Sequence, residues 1–558
     1  MSSASLPLTT VMPANSTPDF HVGPIDLTVI VAYLVLSRVL PLVLNSRMQK
    51  KADKAQAAEG KEDDAAEDYF LGGRNFIWPF VGLSLVATNM SGATFVGLAG
   101  GAYDQGISIY AYEWISTVVL AVFIFVILPF YLKSSAFTLP EFLEKRFDRR
   151  TRMAFAGFNL FANMFIDMAA ALFAGAVVVQ TLYPSVPLWV AVAVLATLAA
   201  VYTVFGGLGA VMISDSIQAT ITLIGGALVA FATFRAVESW DAVTQTAGDE
   251  KMSLILPASN PDLPWPGLIT GALVVGMYYW TTNQLVVQRT LGAKSIEHGR
   301  WGALLAGFIK LLFLFLFIFP GVMALSLYPD LESPDQVFPT LVFDLMPVGV
   351  RGLILAAVIA AITSTVDSIL NSASTIVTMD FVKTLRPKTS NNSLVVIGRW
   401  ATVGALIVAI VWTPFIANFD TLYNYLQSVL SYLVPPVVVV FLAGILVKRI
   451  TPVAALTTLV VMQAAGLVGF LAIEVGGMVD LQFLYASGIS VVLSVLVLTG
   501  VTMVTTPREY GEIEDVTWSR SFWSEESAAL EGVPLWKNYR VLTVVMLAVT
   551  AIIVYTFR

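Results

Sequence analysis

An all-α membrane protein built around two five-helix blocks is the fold class this sequence predicts, and three observations predict it. Of its 558 residues 57% are hydrophobic and only 12% charged, a balance that in water would expose apolar patches larger than a soluble domain carries. Apolar runs of the roughly 20 residues needed to cross a bilayer recur about fourteen times. A few charges sit inside those runs: Lys310, Glu113, Asp167, Asp215 and Asp367. Hydrocarbon gives them no solvation, so each must be compensated or functional. Together they point to a polar path through the protein, and so to a transporter rather than an anchor.

Composition excludes much else. With no cysteine there is no disulfide or thiolate metal site, and the only two histidines, His21 and His298, fall in polar segments. The net charge of −7 says little about partners, because in a membrane protein the sidedness of charge matters more than its sum, and nucleic acid is not expected. The first 23 residues carry no Lys or Arg and include Pro7, Pro13 and Pro18, so no cleavable signal peptide is expected.

Taken in order, the expected spans lie near 24–46, 76–102, 108–132, 153–180, 187–206, 210–235, 266–288, 302–327, 350–381, 395–416, 420–446, 453–474, 481–505 and 540–557. With the N-terminus outside, alternate loops collect Arg47, Lys50 and Lys51, then Lys145, Arg149 and Arg152, then Arg289, Lys294 and Arg300. Basic residues mark the cytoplasmic side, so both termini are expected to be extracytoplasmic in a cell membrane. The second to sixth and the seventh to eleventh spans form two blocks of five, and an odd-numbered unit repeated in tandem enters the membrane from the opposite side. The resulting organisation is an extracytoplasmic tail (1–23), an extra helix (24–46), a cytoplasmic loop (47–75), a first repeat (76–235), an outer loop (236–265), a second repeat (266–447) and extra helices (448–558) with a cytoplasmic loop at 506–539. The leading helix of each block is interrupted, at Thr88–Thr94 and Val275–Gln284. Broken helices free carbonyls for a cation and helix termini for a polar solute at the midplane. The charged stretch after the first span and the 506–539 loop suggest no role beyond solvated connection.

The segments "EDYFLGGRNFIWPFVGLSLVATNMSG", "YEWISTVVL", "FTLPEFLEKRF", "FGGLGAVMISDSIQ", "NQLVVQRTLGAKS" and "AAITSTVDSILNSASTIVTMD" resemble the sodium/solute symporter family, and within it the sodium/glucose and sodium/galactose cotransporters. The resemblance runs from about residue 24 onward. It implies a LeuT-type 5+5 inverted-repeat core with additional N- and C-terminal helices, and import of a monosaccharide coupled to sodium. It implies no enzyme activity. A sodium symporter for another small polar solute, such as inositol, sialic acid, an amino acid or an organic acid, is the alternative. A channel or sensor is the reading from another class, and steady ion current without solute would mark a channel.

The resemblance also implies site residues. A first sodium site would use backbone oxygens of Ala87, Met90 and Ala361 and the hydroxyls of Ser364 and Thr365, hard oxygen donors without a carboxylate cage. A second would draw on Asp215, Thr365, Asp367 and Ser368; the competing arrangement pairs Asp215 with Arg289. Solute contacts fall on Asn89, Thr94, Glu113, Ser116, Asp167, Lys310 and Gln427, and an aromatic gate on Tyr279 and Trp280. Thr94, Asp167 and Gly276 depart from the galactose pattern, which leaves the cargo open. The expected partners are sodium, a small-molecule solute and the bilayer. One copy of the chain is expected to suffice for transport, with oligomers allowed.

Overall fold

The computed structural model describes residues 23–58, 74–90, 92–136, 138–200, 208–419 and 421–558. Among them the regular elements are helical, and extended pairing is limited to the isolated bridges Phe76–Ala293 and Leu256–Pro264. The principal helices of the first half are α1 (Pro24–Ala58), α2 (Trp78–Asn89), α3 (Gly92–Gln105), α4 (Ala111–Val122), α5 (Arg149–Ala162), α6 (Ala169–Leu182), α7 (Leu188–Ala200) and α8 (Leu208–Ala236). Those of the second half are α9 (Gln284–Leu291), α10 (Ile296–Phe313), α11 (Val350–Thr375), α12 (Asn391–Trp412), α13 (Leu422–Leu433), α14 (Pro435–Leu446), α15 (Pro452–Phe470), α16 (Phe483–Met503) and α17 (Tyr539–Thr556).

Ten described runs are long and apolar enough to cross a membrane, or eleven if the bent pair α13 and α14, 53° apart, counts as one. The expected count of fourteen is therefore not reproduced, and the reasons are local. Thr94–Lys133 is one 40-residue helical stretch. It turns at Gly106, whose φ of +81° and closeness to the Lys251 backbone leave no room for a side chain. The seventh expected span is divided before α9. The fifth expected span, 187–206, runs partly outside the described residues, of which Leu188–Thr197 is apolar and helical. The bend between α13 and α14 follows from Pro435, which supplies no N–H to continue the preceding helix.

Burial separates an inner set of helices from an outer one. The most apolar window is 72% buried in Thr94–Lys133, 78% in Arg149–Gln180, 72% in Ile296–Leu327 and 76% in Val350–Leu385. It is only 19% buried in Pro24–Asn45, 28% in α16 and 22% in α17. The peripheral helices expose Val and Leu side chains such as Val35, Leu36, Val492 and Val544, which hydrocarbon accommodates and water would not. Beneath them α2 packs against α10 and α8, and α11 against α1 and α12.

Close approach of α2 and α10 depends on a glycine pair. A Cβ on Gly82 would lie 2.8 Å from the Gly302 carbonyl oxygen, and one on Gly302 would lie 2.6 Å from Val81. Small residues let membrane helices touch along their backbones. Gly302→Val is expected to force these helices apart at a cost of about 1–3 kcal/mol. A lower unfolding temperature of purified protein checks this; an unchanged one refutes the tight crossing.

The 506–539 connection proves more ordered than a bare loop. Trp518 donates its amide to the Ile445 carbonyl at 2.8 Å, and Arg508 reaches the Phe147 carbonyl at 2.8 Å. Lys133 meets Asp515 at 3.1 Å, and Glu526 takes Arg300. The segment thus straps together the ends of several core helices, through contacts too distant in sequence to be read from composition.

Candidate functional site

The site begins where α2 stops. Its last turn ends at Met90, with φ −80° and ψ 56°, and the helix resumes at Gly92. Asn89 and Thr94 face each other across the break, the Thr94 hydroxyl donating to the Asn89 carbonyl. The second break is of a different kind. A π-helical turn over Tyr278–Thr282 runs into extended backbone at Asn283, whose side chain accepts the Leu285 amide at 2.9 Å and so caps α9. Helix widening of this sort displaces side chains from their regular positions and is frequent at functional sites. Tyr279 joins the two breaks by donating to the Thr88 carbonyl at 3.2 Å.

Between the breaks lies a cavity of about 150 Å³, below the roughly 300–1,000 Å³ of sites for drug-sized ligands and suited to a small solute. Its walls bring together nearly all the expected residues: Ala87, Asn89 and Thr94 from the broken helix; Glu113 and Ser116 from α4; Asp167; Asp215 from α8; Tyr279 and Trp280; Ala361, Ser364, Thr365 and Ser368 from α11; and Gln427 from α13. Met90 is buried beside the break but is not among the lining residues. Asp367 sits on α11, and its side chain lies outside the described residues.

Lys310 is fully buried and stands behind the cavity wall. Its ammonium donates to Glu113 and to Asn89 Oδ1, with the Phe313 ring 4.3 Å away and the Trp280 ring 5.7 Å away. A buried charge of each sign is thereby neutralised, and Glu113 and Asn89 are fixed in orientation by one cation. Gln427 is buried as well, and its Oε1 has no hydrogen-bond partner. A buried amide oxygen left bare at a cavity costs about 1–3 kcal/mol and is poised to accept from a solute hydroxyl. The Ser116 hydroxyl donates back to the Tyr112 carbonyl at 2.8 Å, which leaves its oxygen free to accept.

Around α11 the donors are oxygens. The Thr365 hydroxyl donates to the Ala361 carbonyl at 2.8 Å, the local back-bond common for threonine in membrane helices. That bond orients the hydroxyl's lone pairs away from its own helix. Ala87 of α2 and Ala361, Ser364 and Thr365 of α11 line the same cavity, and each carries neutral oxygens of the kind a hard cation prefers. Asp215 is nearby and engaged: it accepts from Ser84 at 2.8 Å and pairs with Arg289 at 3.5 Å. The Asp215–Arg289 pairing is thus present, and Thr365 and Ser368 share its cavity.

Sequence reasoning missed three contributors. Asn283 lines the cavity together with Asp167, which brings the π-helical turn Asn163–Met168 to the second break. Tyr423 and Tyr112, with ring centres 5.3 Å apart, close one side of the cavity. Asn283 lay inside the noted interruption, and Tyr423 precedes Gln427 by one helical turn, so both were within reach of the residues already singled out.

Discontinuous helices, a small polar cavity at their breaks and oxygen donors for a hard cation define an ion-coupled secondary transporter with the LeuT-type fold. Residues 69–461 match the sodium:solute symporter family, and the chain belongs to that family. It is 33% identical to the sodium/myo-inositol cotransporter 2 of Bos taurus over 93% of this chain and 82% of that one. It is 31% identical to the sodium/glucose cotransporter 1 of Oryctolagus cuniculus over 84% and 78%. Among solved structures, a substrate-bound, outward-open sodium-coupled sialic acid symporter superposes with a TM-score of 0.71 at 23% identity, covering 88% of this chain and all of that one. Mhp1, a nucleobase-cation-symport-1 family transporter, superposes at 0.50 with 15% identity over 79% and 96%. The protein is a sodium:solute symporter, and sodium is its co-transported ion.

Proposed function

We propose that the solute is a neutral ring polyol, a monosaccharide of the glucose or galactose kind, imported with sodium by alternating access. The observation that carries this is the bare oxygen of Gln427, a residue that lines the cavity together with Glu113, Asn89 and Ser116. Such a ring of acceptors and amides suits hydroxyls, and Lys310 cancels the Glu113 charge so that no ionic solute is required. Tyr279 and Trp280, in edge-to-face contact, offer a flat ring a stacking surface and serve as the gate. Sodium would bind at Ala87, Met90, Ala361, Ser364 and Thr365, and a second ion at Asp215, Thr365, Asp367 and Ser368 once Arg289 releases Asp215. The repeats span 76–235 and 266–447, and both termini are extracytoplasmic in a cell membrane, following the basic loops.

Moving one charge inward across about 100 mV yields about 2.3 kcal/mol, and a tenfold sodium gradient adds about 1.4 kcal/mol, enough for accumulation of several hundredfold. A second reading, an inositol, is favoured by the names of the myo-inositol relatives and uses the same hydroxyl chemistry. Competition among glucose, galactose, myo-inositol, sialic acid and an amino acid for sodium-driven uptake into proteoliposomes tests the solute class. Inhibition confined to the neutral ring polyols is expected, and preference for a charged solute contradicts the proposal.

A further inference from the structure

Asp335 lies outside the cavity and outside the spans, in the short 3-10 turn Pro334–Gln336 between α10 and α11. It is only 3% exposed. The backbone of this turn rests directly on α3: a Cβ on Gly100 would meet the Pro334 carbonyl oxygen at 2.7 Å and the Asp335 nitrogen at 3.1 Å. From there Asp335 Oδ2 accepts the Leu422 amide at 3.0 Å, at the first turn of α13. Its other oxygen, Oδ1, is buried without a hydrogen-bond partner. One turn further along the interface, Tyr423 packs on Gly97 of α3, where a Cβ would come within 3.1 Å of the ring, and Gln105 donates to Asn424 at 2.8 Å. The carboxylate is therefore a clasp between the second half of the broken helix and the helix that carries Tyr423 and Gln427 into the cavity.

We infer that Asp335 is a positioning residue for solute binding, its carboxyl holding α13 against α3 so that its protonation state sets solute affinity. This rests on the reading that Gln427 and Tyr423 meet the solute. Burial, reinforced by the like charge of Asp104 on α3, raises the Asp335 carboxyl from the usual carboxylate range to about 7 in spite of the Leu422 N–H. The other titratable or charged groups on the elements packed around it are Tyr103 on α3, with Lys251 on its carbonyl and Asp330 beside it, Tyr423, Tyr425 and, toward its far end, Tyr432 on α13, and Asp344 bonded to Tyr328. α6 presents none.

The sign follows from the cost of ionisation. The clasped arrangement binds the proton more tightly than a hydrated carboxyl would, so clasping weakens as the pH rises from the usual carboxylate range to about 7 and levels off above it. If unclasping hydrates Asp335 fully, affinity should fall by up to about tenfold between pH 6 and pH 8, the full change appearing where the unclasped form predominates without solute. Equilibrium binding of tritiated glucose and tritiated myo-inositol in saturating sodium at both pH values tests this. Wild type should bind more weakly at pH 8. Asp335→Asn, which keeps an oxygen for Leu422 without the charge, should match wild type at pH 6 and lose the dependence. Asp335→Ala should bind weakly at both.

Hydrogen exchange across the segment containing Leu422 supplies a readout that needs no solute: it should quicken in Asp335→Ala and stay slow in Asp335→Asn. Should neither sugar bind wild type, the solute reading fails while the exchange result still decides whether the clasp exists. A pH ratio in Asp335→Asn equal to wild type, unaltered exchange in Asp335→Ala, or faster exchange with unchanged affinity overturns the inference.

Discussion

Glu113→Gln and Lys310→Met should each destabilise the purified protein by about 3–5 kcal/mol and abolish solute uptake, whereas the double replacement should recover most of the stability and none of the uptake. The asymmetry comes from burial. Lys310 is fully buried and the Glu113 side chain 5% exposed, so removing either partner leaves the other as an uncompensated charge in a low-dielectric interior. Replacing both removes the charges together, and a buried ion pair exchanged for neutral groups of similar volume is often tolerated. Uptake is different, because Glu113 lines the cavity and Lys310 orients both it and Asn89. Thermal unfolding followed alongside sodium-driven uptake separates the two effects. A stable, transporting Lys310→Met variant would contradict the role given to the pair.

Ser364→Ala should raise the sodium concentration for half-maximal uptake by about tenfold to a hundredfold, with a smaller change in maximal rate at saturating sodium. A hydrogen bond or ligand contact to a charged partner is worth about 1.5–3 kcal/mol, and each 1.4 kcal/mol is tenfold in affinity. Ser364 is the cleaner target because the Thr365 hydroxyl also bonds Ala361, so Thr365→Ala would disturb α11 as well as any ion site. Uptake titrated with sodium at fixed ionic strength, lithium or choline making up the balance, gives the shift. An unchanged sodium dependence removes Ser364 from the ion site.

How much was legible in the sequence follows the range of the interactions concerned. The helix breaks announce themselves locally, through "TNMSGAT" and "YYWTTNQ", and the structure interrupts the helices at both. Glu113 and Lys310 were legible for a different reason: isolated charges in apolar runs must find each other, and few candidates existed. Asp167 gave no such lead. Its cavity neighbour Asn283 is uncharged and caps another helix, and nothing in an amide's neighbours marks it as lying near a distant acid. Asp335 was invisible too, because a loop aspartate after Ser and Pro ordinarily caps its own turn; here it reaches the amide of a helix far along the chain. The span boundaries differ among the described residues because apolar length does not record corners. Gly106 turns the chain without interrupting the apolar run.

The central claim is that sodium and solute share the cavity between the two helix breaks, so that neither crosses efficiently without the other. Its most direct test is uptake of radiolabelled glucose, galactose and myo-inositol into proteoliposomes under an inward sodium gradient, against an identical choline gradient with the same membrane potential. Sodium should drive at least one of these solutes transiently above its equilibrium level, and choline should not. Equal uptake in both cations, at neutral and at acidic pH, would contradict the account.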